Sequence, residues 1–186
     1  SDAPDRLAPH LHAPLQSGSD VVLKRMGRHC YTARTYRERC EVLADHVPAL
    51  GLGADVIVGF PGETEEDYVA TRSLIEALPF TYLHVFPYSE RPGASARRIG
   101  RPVDSRVAAS RSAELRAIAS SKGASYRARR DGGRADVVVL RRHQGRVQGL
   151  TEDYLDVYFA ADRDYTPRFQ ALLRQDTDGT LLAEVA

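Results

Sequence analysis

Cysteine is scarce in this sequence, and the two that occur, Cys30 and Cys40, exclude more than they offer. They lie ten residues apart in a stretch with helical character, where the helical rise separates them by about 15 Å. That is too far for a shared ion or a disulfide, so ordinary reduced cysteines are expected and no metal ligands are assigned. Long apolar runs are also missing. Nothing approaches the roughly 18 residues of a membrane span, and no targeting segment is evident at the N-terminus. With 42% hydrophobic residues and a mean hydropathy of -0.38, the composition describes a soluble globular chain whose default compartment is cytoplasmic, with no membrane partner. Lysine is nearly absent, arginine outnumbering it 24 to 2, a bias that genomic base composition produces as readily as function does.

The net charge of +1 hides a partition. Residues 1 to 96 carry nine basic and thirteen acidic side chains, 97 to 146 carry fourteen and four, and 147 to 186 carry three and eight. A central block of net +10 fits a phosphate-backbone footprint, or equally a solvated arginine-rich helix.

The pattern along the chain alternates. An extended run from Leu11 to Gln16 ends at Ser17-Gly18-Ser19, where Ser19 can cap a helix through Val22, Leu23 and Met26. A second helix is predicted from about Thr35, with Glu38 completing a capping box and Tyr36, Cys40, Leu43 and Val47 on one face, until Pro48. Ala54 to Gly59 reads as a strand buried on both faces. The turn Phe60-Pro61-Gly62-Glu63 follows, then a helix capped by Thr64 with Glu65, Glu66 and Asp67 in its first turn. Tyr82 to Phe86 is a third strand, leaving through Pro87-Tyr88-Ser89. Strands alternating with helices predict parallel βαβ units, with ligands bound beyond the strands' carboxyl ends: Gln16 to Ser19, Gly59 to Glu63, and Pro87 to Gly93. Three strands cannot close a barrel, so open edges and self-association are expected.

A helix is predicted from Asp104 to about Arg130, with Val107, Leu115, Ile118 and Ala119 inward. Beyond Asp131-Gly132-Gly133 come five short strand-like runs, the signature of a small antiparallel β-barrel. The fold class is therefore α/β, with domains at 1–130 and 131–186.

Three spaced segments carry a family likeness: Pro14-Leu15-Gln16-Ser17-Gly18-Ser19, Leu23-Lys24-Arg25-Met26, and Ala54 through Asp67 (ADVIVGFPGETEED). With Tyr82 to Ser89 and Arg91-Pro92-Gly93, they resemble the radical S-adenosylmethionine (SAM) methylthiotransferases, most of all the branch acting on threonylcarbamoyladenosine in tRNA. The run Gly149 to Tyr154 is similar to that family's RNA-binding TRAM domain. The resemblance covers roughly residues 9 to 186 and implies the C-terminal half of a radical SAM partial (β/α) barrel, followed by a TRAM-like barrel. It also implies SAM and [4Fe–4S] clusters as cofactors and tRNA as partner. Cluster-binding cysteines belong to earlier strands and a preceding domain, and two distant thiols do not replace them. Alone, the chain is expected to be inactive and to need an N-terminal segment or partner chain.

On this resemblance the SAM-contacting residues are Gln16, Ser17, Ser19, Val58, Gly59, Pro61, Val85 and Phe86. Each has a bland reading: Ser19 as a cap, Ser17-Gly18 as a turn, Gly59 and Pro61 as turn residues, Val85 and Phe86 as core. Lys24 and Arg28 fit a solvated helix face. Glu63, just before a helix, is expected to be structural, and the catalytic residues are unknown. Arg127, Arg129, Arg130, Arg134, Arg141 and Arg142 are the expected RNA contacts, while Tyr154 and Tyr158 are read first as barrel core and second as base-stacking groups. Alternatives stay open: a stand-alone RNA-binding protein with a vestigial half-barrel, a ribosomal-protein methylthiotransferase, or an unrelated enzyme binding phosphate at Gly59 to Gly62.

Overall fold

The computed structural model describes residues 7–90, 99–143, 145–161 and 164–185. The chain divides into two compact units, one of His12–His46 with Leu52–Lys122, the other of Ser1–Leu11, Val47–Gly51 and Gly123–Ala186. Arg91-Pro92-Gly93 of the expected ligand loop lies outside the described residues.

A three-stranded sheet is ordered β1 (His10–His12), β2 (Gly51–Val58), β3 (Tyr82–Pro87). β2 and β3 are parallel, with Asp55 opposite His84 and Ile57 opposite Phe86. Beyond β1, Gln16 makes a parallel bridge to Val56. Helices α1 (Asp20–Arg25), α2 (Ala33–His46) and α3 (Glu65–Ala77) supply the crossovers, and α4 (Ser105–Arg130) follows β3. Sequential strand order with right-handed crossovers puts the connecting helices on one face. β2 records the consequence: Leu52, Ala54, Val56 and Val58 are buried, whereas Asp55 and Ile57 between them are half-open. The expectation of a strand buried on both faces is therefore corrected, because period-two alternation separates an apolar face from one carrying an acid.

Helix boundaries follow local hydrogen bonding. Thr64 and Asp67 form the reciprocal capping box at α3, with Glu65 and Glu66 in the first turn as the sequence predicts. At α2 the cap lies earlier than predicted: Thr32 and Thr35 bond each other's backbone N–H at 3.1 and 2.9 Å, while Glu38 pairs instead with Arg34 at 2.7 Å. Only Tyr36 and Cys40 of α2 are buried, Leu43 is exposed, and Cys30 lies before the helix rather than within it. Along α4 the buried positions are Arg111, Ser112, Leu115, Gly123 and Tyr126, whereas Val107, predicted to face inward, is exposed.

In the second unit, β4 (Arg134–His143), β5 (Arg146–Thr151), β6 (Asp156–Ala160), β7 (Arg168–Gln175) and β8 (Leu181–Val185) close a barrel in the order β4-β5-β6-β8-β7. Four of its pairings are antiparallel, and the β6–β8 pair is parallel at Tyr158–Leu182. Alternate residues fill the interior: Ala135 and Val137, Val147, Val157 and Phe159, Ala171 and Leu173, Leu181 and Ala183. Tyr158, between Val157 and Phe159, points out of that core, and Tyr154 is 52% exposed in a turn at φ 69° before β6 begins. The core reading of both tyrosines is corrected.

Candidate functional site

The turn after β1 is anchored by its small polar residues. Gln16 is buried with φ 67°. Its N–H donates to Asp55 O at 2.8 Å and its carbonyl accepts from Ile57 N–H at 2.9 Å, which fastens it to β2. The Ser17 hydroxyl lies 3.2 Å from Thr71 Oγ1, and Gly18 N–H donates to that same oxygen at 2.9 Å. Gly18 permits this approach, since a Cβ there would meet Thr71 Cα at 2.6 Å. Ser19 caps α1 and donates to Asp67 Oδ1 at 2.5 Å. Burial raises the Asp67 carboxyl, but the Ser19 hydroxyl, the Thr64 N–H and hydroxyl, and Arg25 outweigh it, so the carboxyl sits below its ordinary value.

The loop after β2 is braced from within. Gly59 and Gly62 both have positive φ, 76° and 79°. Glu63 folds back so that its Oε1 accepts from Gly59 N–H at 3.1 Å and from Arg111 Nη1 at 2.5 Å. Arg111 Nη2 reaches Glu65 at 2.7 Å, and its guanidinium carbon lies 4.9 Å from the Tyr68 ring centre. The Glu63 and Arg111 side chains are 4% and 8% exposed. Burial pushes the Glu63 carboxyl up, opposed by Gly59 N–H and Arg111. Glu63 is thus a loop brace, as the structural reading of it anticipates. Arg25 Nη1 donates to Gly62 O at 2.5 Å, and Pro61 is buried in this loop.

At the end of β3, Val85 is buried and its carbonyl accepts from Arg116 at 2.8 Å. Phe86 is 50% exposed on the opposite side of the strand. Tyr88 N–H donates to Val58 O at 2.8 Å, and the Tyr88 ring meets Phe60 edge-on at 5.3 Å. A cleft of about 450 Å³ opens beyond the ends of β2 and β3, lined by Gly59, Pro61, Pro87, Tyr88, Pro102 and Ala108 among others. That is within the size range of small-molecule sites. Of the sequence-predicted residues, Gly59 and Pro61 line the cleft, Phe86 is on the open face, Val58 and Val85 are on the covered face, and the Ser17 and Ser19 hydroxyls bond α3 residues.

The sequence reading missed a cluster on the open face of the sheet. His12 Nε2 and His84 Nδ1 lie 3.2 and 3.1 Å from the same oxygen, Asp55 Oδ1. Tyr82 Oη lies 3.1 Å from His12 Nδ1. Gly53 makes room for this arrangement, because a Cβ there would sit 1.9 Å from Tyr82 Cζ. No short-range spacing announces the set, since His12, Asp55 and His84 each come from a different strand. The available signal is strand phase: Asp55 and His84 are register partners, two residues beyond the Gly53–Tyr82 pair.

In the second unit, Arg134, Arg141 and Arg142 are exposed on β4, and Arg129 lies 5.3 Å from the Tyr126 ring centre. Arg141 donates to Gln148 at 2.7 Å, Arg142 pairs with Asp164 at 2.9 Å, and Arg127 is half-buried. Arg130 is placed differently. Its Nε donates at 2.8 Å to Asp153 Oδ2, which also accepts from Tyr126 Oη at 2.7 Å, and Asp153 is fully enclosed. The segment Gly149 to Tyr154 therefore has a structural logic: Asp153 ties the turn to the last part of α4. A broad groove of about 660 Å³ runs over β4 and that turn, lined by His10, Arg134, Asp136, Tyr154 and Arg168 among others. His10 and Tyr154 stack there at 4.2 Å.

A parallel three-stranded sheet with braced loops at its carboxyl ends, in a chain that also carries a small closed barrel, is the arrangement implied by the motif resemblance. No family model matches the chain. Comparison with curated proteins shows it to be a homologue of the radical SAM methylthiotransferases, corresponding to their C-terminal part. The threonylcarbamoyladenosine tRNA methylthiotransferase MtaB of Bacillus subtilis is 36% identical over 168 residues, 88% of this chain and 37% of that protein. MtaB of Treponema pallidum is 40% identical over 154 residues, 82% and 31% respectively. The tRNA-2-methylthio-N(6)-dimethylallyladenosine synthase of Desulfosudis oleivorans is 48% identical over 100 residues, 54% and 21%. The chain spans about a third of the length of the MtaB relatives it matches.

Proposed function

We propose that this chain is part of a tRNA methylthiotransferase that adds a methylthio group to N6-threonylcarbamoyladenosine by radical SAM chemistry, and that it is not competent alone. The observation carrying this reading is the cleft at the ends of β2 and β3, lined by Gly59 and Pro61 of the family-like motif, in a chain whose match to MtaB of Bacillus subtilis covers 88% of its length.

In this proposal Gln16, Gly59, Pro61 and Phe86 form the wall that SAM contacts. Ser17, Ser19, Val58 and Val85 hold that wall from behind, the serines through Thr71 and Asp67 and the valines through the covered face of the sheet. SAM, when bound, supplies the methyl group and the radical precursor; the residues here orient it and exclude water. The thiols do not fit a [4Fe–4S] cluster: Cys40 is buried within α2 and Cys30 is exposed ahead of it. The cluster ligands must come from a segment or partner outside these 186 residues. Residues 131–186 act as the RNA-binding module, with Arg134, Arg141 and Arg142 of the barrel and the flanking Arg127 and Arg129 of α4 as phosphate contacts and Arg130 as their structural support. A tRNA substrate implies the cytoplasm.

Calorimetric titration of SAM into the 186-residue chain tests the cofactor wall. Saturable heat is expected; none at millimolar ligand, alongside salt-sensitive tRNA binding, favours a stand-alone RNA-binding protein instead. Transfer RNA affinity falling steeply with salt is expected of the barrel.

A further inference from the structure

We propose that His12, Asp55 and His84 form a mononuclear site for a divalent first-row transition ion on the open face of the sheet. Its donors are distinct from the residues of the SAM wall, while Phe86 of that wall lies on the same face with its ring 6.4 Å from that of His84; binding of the ion does not require the reading above. The argument begins with the sheet. Asp55 and His84 are register partners on adjacent parallel strands, and His12 ends the neighbouring β1. His12 stands one same-face step before that pair, since Ala13 N–H donates to Gly53 O at 2.8 Å, and its ring reaches diagonally to Asp55.

The donor geometry is specific. The two imidazole nitrogens approach one carboxylate oxygen at 3.2 and 3.1 Å, and all three ligand atoms lie within 4.8 Å of one another. Ligands bound at about 2.0–2.2 Å are separated by about 2.8–3.6 Å across octahedral to tetrahedral angles. Both nitrogen–oxygen separations already fall in that interval. Binding the ion requires the two imidazole nitrogens, which lie within 4.8 Å of each other, to close to that interval.

Surrounding groups support the assignment. Coordination through His12 Nε2 leaves the proton on Nδ1, and Tyr82 Oη at 3.1 Å accepts it, the kind of outer contact that fixes the orientation of a ligating imidazole. The Tyr82 ring can lie where it does because Gly53 has no side chain. The His12, Asp55 and His84 side chains are 31%, 29% and 56% exposed, which leaves an entry path and open coordination positions. Two imidazoles with one carboxylate suit zinc, iron(II), cobalt(II) or nickel(II), not calcium or magnesium. Among the described residues no other His, Cys, Asp or Glu set brings three donors together.

The test strips the 186-residue chain with a chelator and titrates it with Zn²⁺ by calorimetry and with Co²⁺ by visible absorption. One equivalent is expected, with d–d bands of the intensity given by four- or five-coordinate cobalt. Tyr82→Phe is expected to weaken Zn²⁺ by about tenfold; His84→Ala and Asp55→Asn are expected to weaken it further. His46→Ala, a variant in exposed α2 sequence, leaves it unchanged. Circular dichroism confirms that each variant is folded, and wild-type cobalt spectra report the site even where one is not. Absence of binding tighter than millimolar means that the cluster is only a set of hydrogen-bonded side chains. Full-strength binding in folded His84→Ala means that the ion sits elsewhere. Either result overturns the proposal.

Discussion

Replacing Arg111 by Met tests whether the loop after β2 depends on a buried ion pair. Methionine keeps much of the aliphatic volume beneath Tyr68 but removes the guanidinium that reaches Glu63 at 2.5 Å and Glu65 at 2.7 Å. Glu65 is 66% exposed and returns to water at little cost. Glu63, 4% exposed, has no such escape and keeps the Gly59 N–H at 3.1 Å. Removing one member of a buried pair costs about 3–5 kcal/mol, or roughly 6–20 °C in melting temperature for a chain of this size. The loss has a definite pH dependence. Burial already holds the Glu63 carboxyl above its ordinary 4.5, and losing Arg111 raises it further. A raised folded value means that stability is retained below the unfolded value and lost as pH rises through the folded one. The gap between wild type and Arg111→Met is therefore expected to be narrow near pH 4.5 and wide at neutral pH, as read from far-UV dichroism melts. Adding Glu63→Gln to Arg111→Met removes the stranded charge and recovers most of the loss. A gap below about 1 kcal/mol, or one that does not change with pH, refutes the reasoning.

The cap and the close contacts give further expectations. Thr64→Ala is expected to cost about 1 kcal/mol in urea denaturation. Because the Asp67 carboxyl is held below its ordinary 3.8, its contribution is present above that value and lost as pH falls through the lowered one. Asp67→Asn should therefore destabilise at neutral pH and converge with wild type in acid; a constant difference contradicts the assignment. Gly18→Ala places a methyl 2.6 Å from Thr71 Cα and is expected to cost about 1–3 kcal/mol, an unchanged denaturation midpoint being the opposing result. Asp153→Ala takes the buried carboxylate from Arg130 and Tyr126, which keep Glu152 at 3.2 Å and Ala49 O at 2.7 Å, and is expected to cost toward the lower end of about 3–5 kcal/mol, whereas Tyr126→Phe, which leaves the ion pair intact, is expected to cost about 1.5–3 kcal/mol. Calorimetric melts in which Tyr126→Phe costs more than Asp153→Ala reverse that ordering and reject it.

Local rules carried much of the fold. The Thr64 cap, the glycine turns and the alternation of strands and helices are encoded within a few residues of where they act. The errors arose where a distant partner decides. Thr32 and Glu38 are equally eligible by spacing, and Thr35's hydroxyl selects Thr32. The arginine-rich helix reads as well as a solvated face as a phosphate footprint, yet Glu63, distant in sequence, draws Arg111 inward. The site divides likewise. Gly59 and Pro61 could be placed by motif and strand end, whereas the use of Ser17 and Ser19 hydroxyls by Thr71 and Asp67 requires α3 to be in position. The parallel β6–β8 closure depends on barrel topology, which no single strand announces.

Parallel sheets are ordinarily covered on both faces, which makes the composition of this sheet's open face informative. Along β2 that face carries Gly53, Asp55 and Ile57, and along β3 it carries Tyr82, His84 and Phe86. The rings form a loose stack, with His12, Tyr82, His84 and Phe86 spaced 5.4–6.4 Å from neighbour to neighbour. A second hydrophobic layer laid over them would desolvate Asp55 and two imidazoles without replacing the hydrogen bonds that water gives them, a cost that grows with each buried polar atom. What suits this surface is a covering that brings its own polar partners: a bound ion, an ordered cofactor, or the polar interior of a larger barrel. The same cost opposes face-to-face stacking of two copies of the chain.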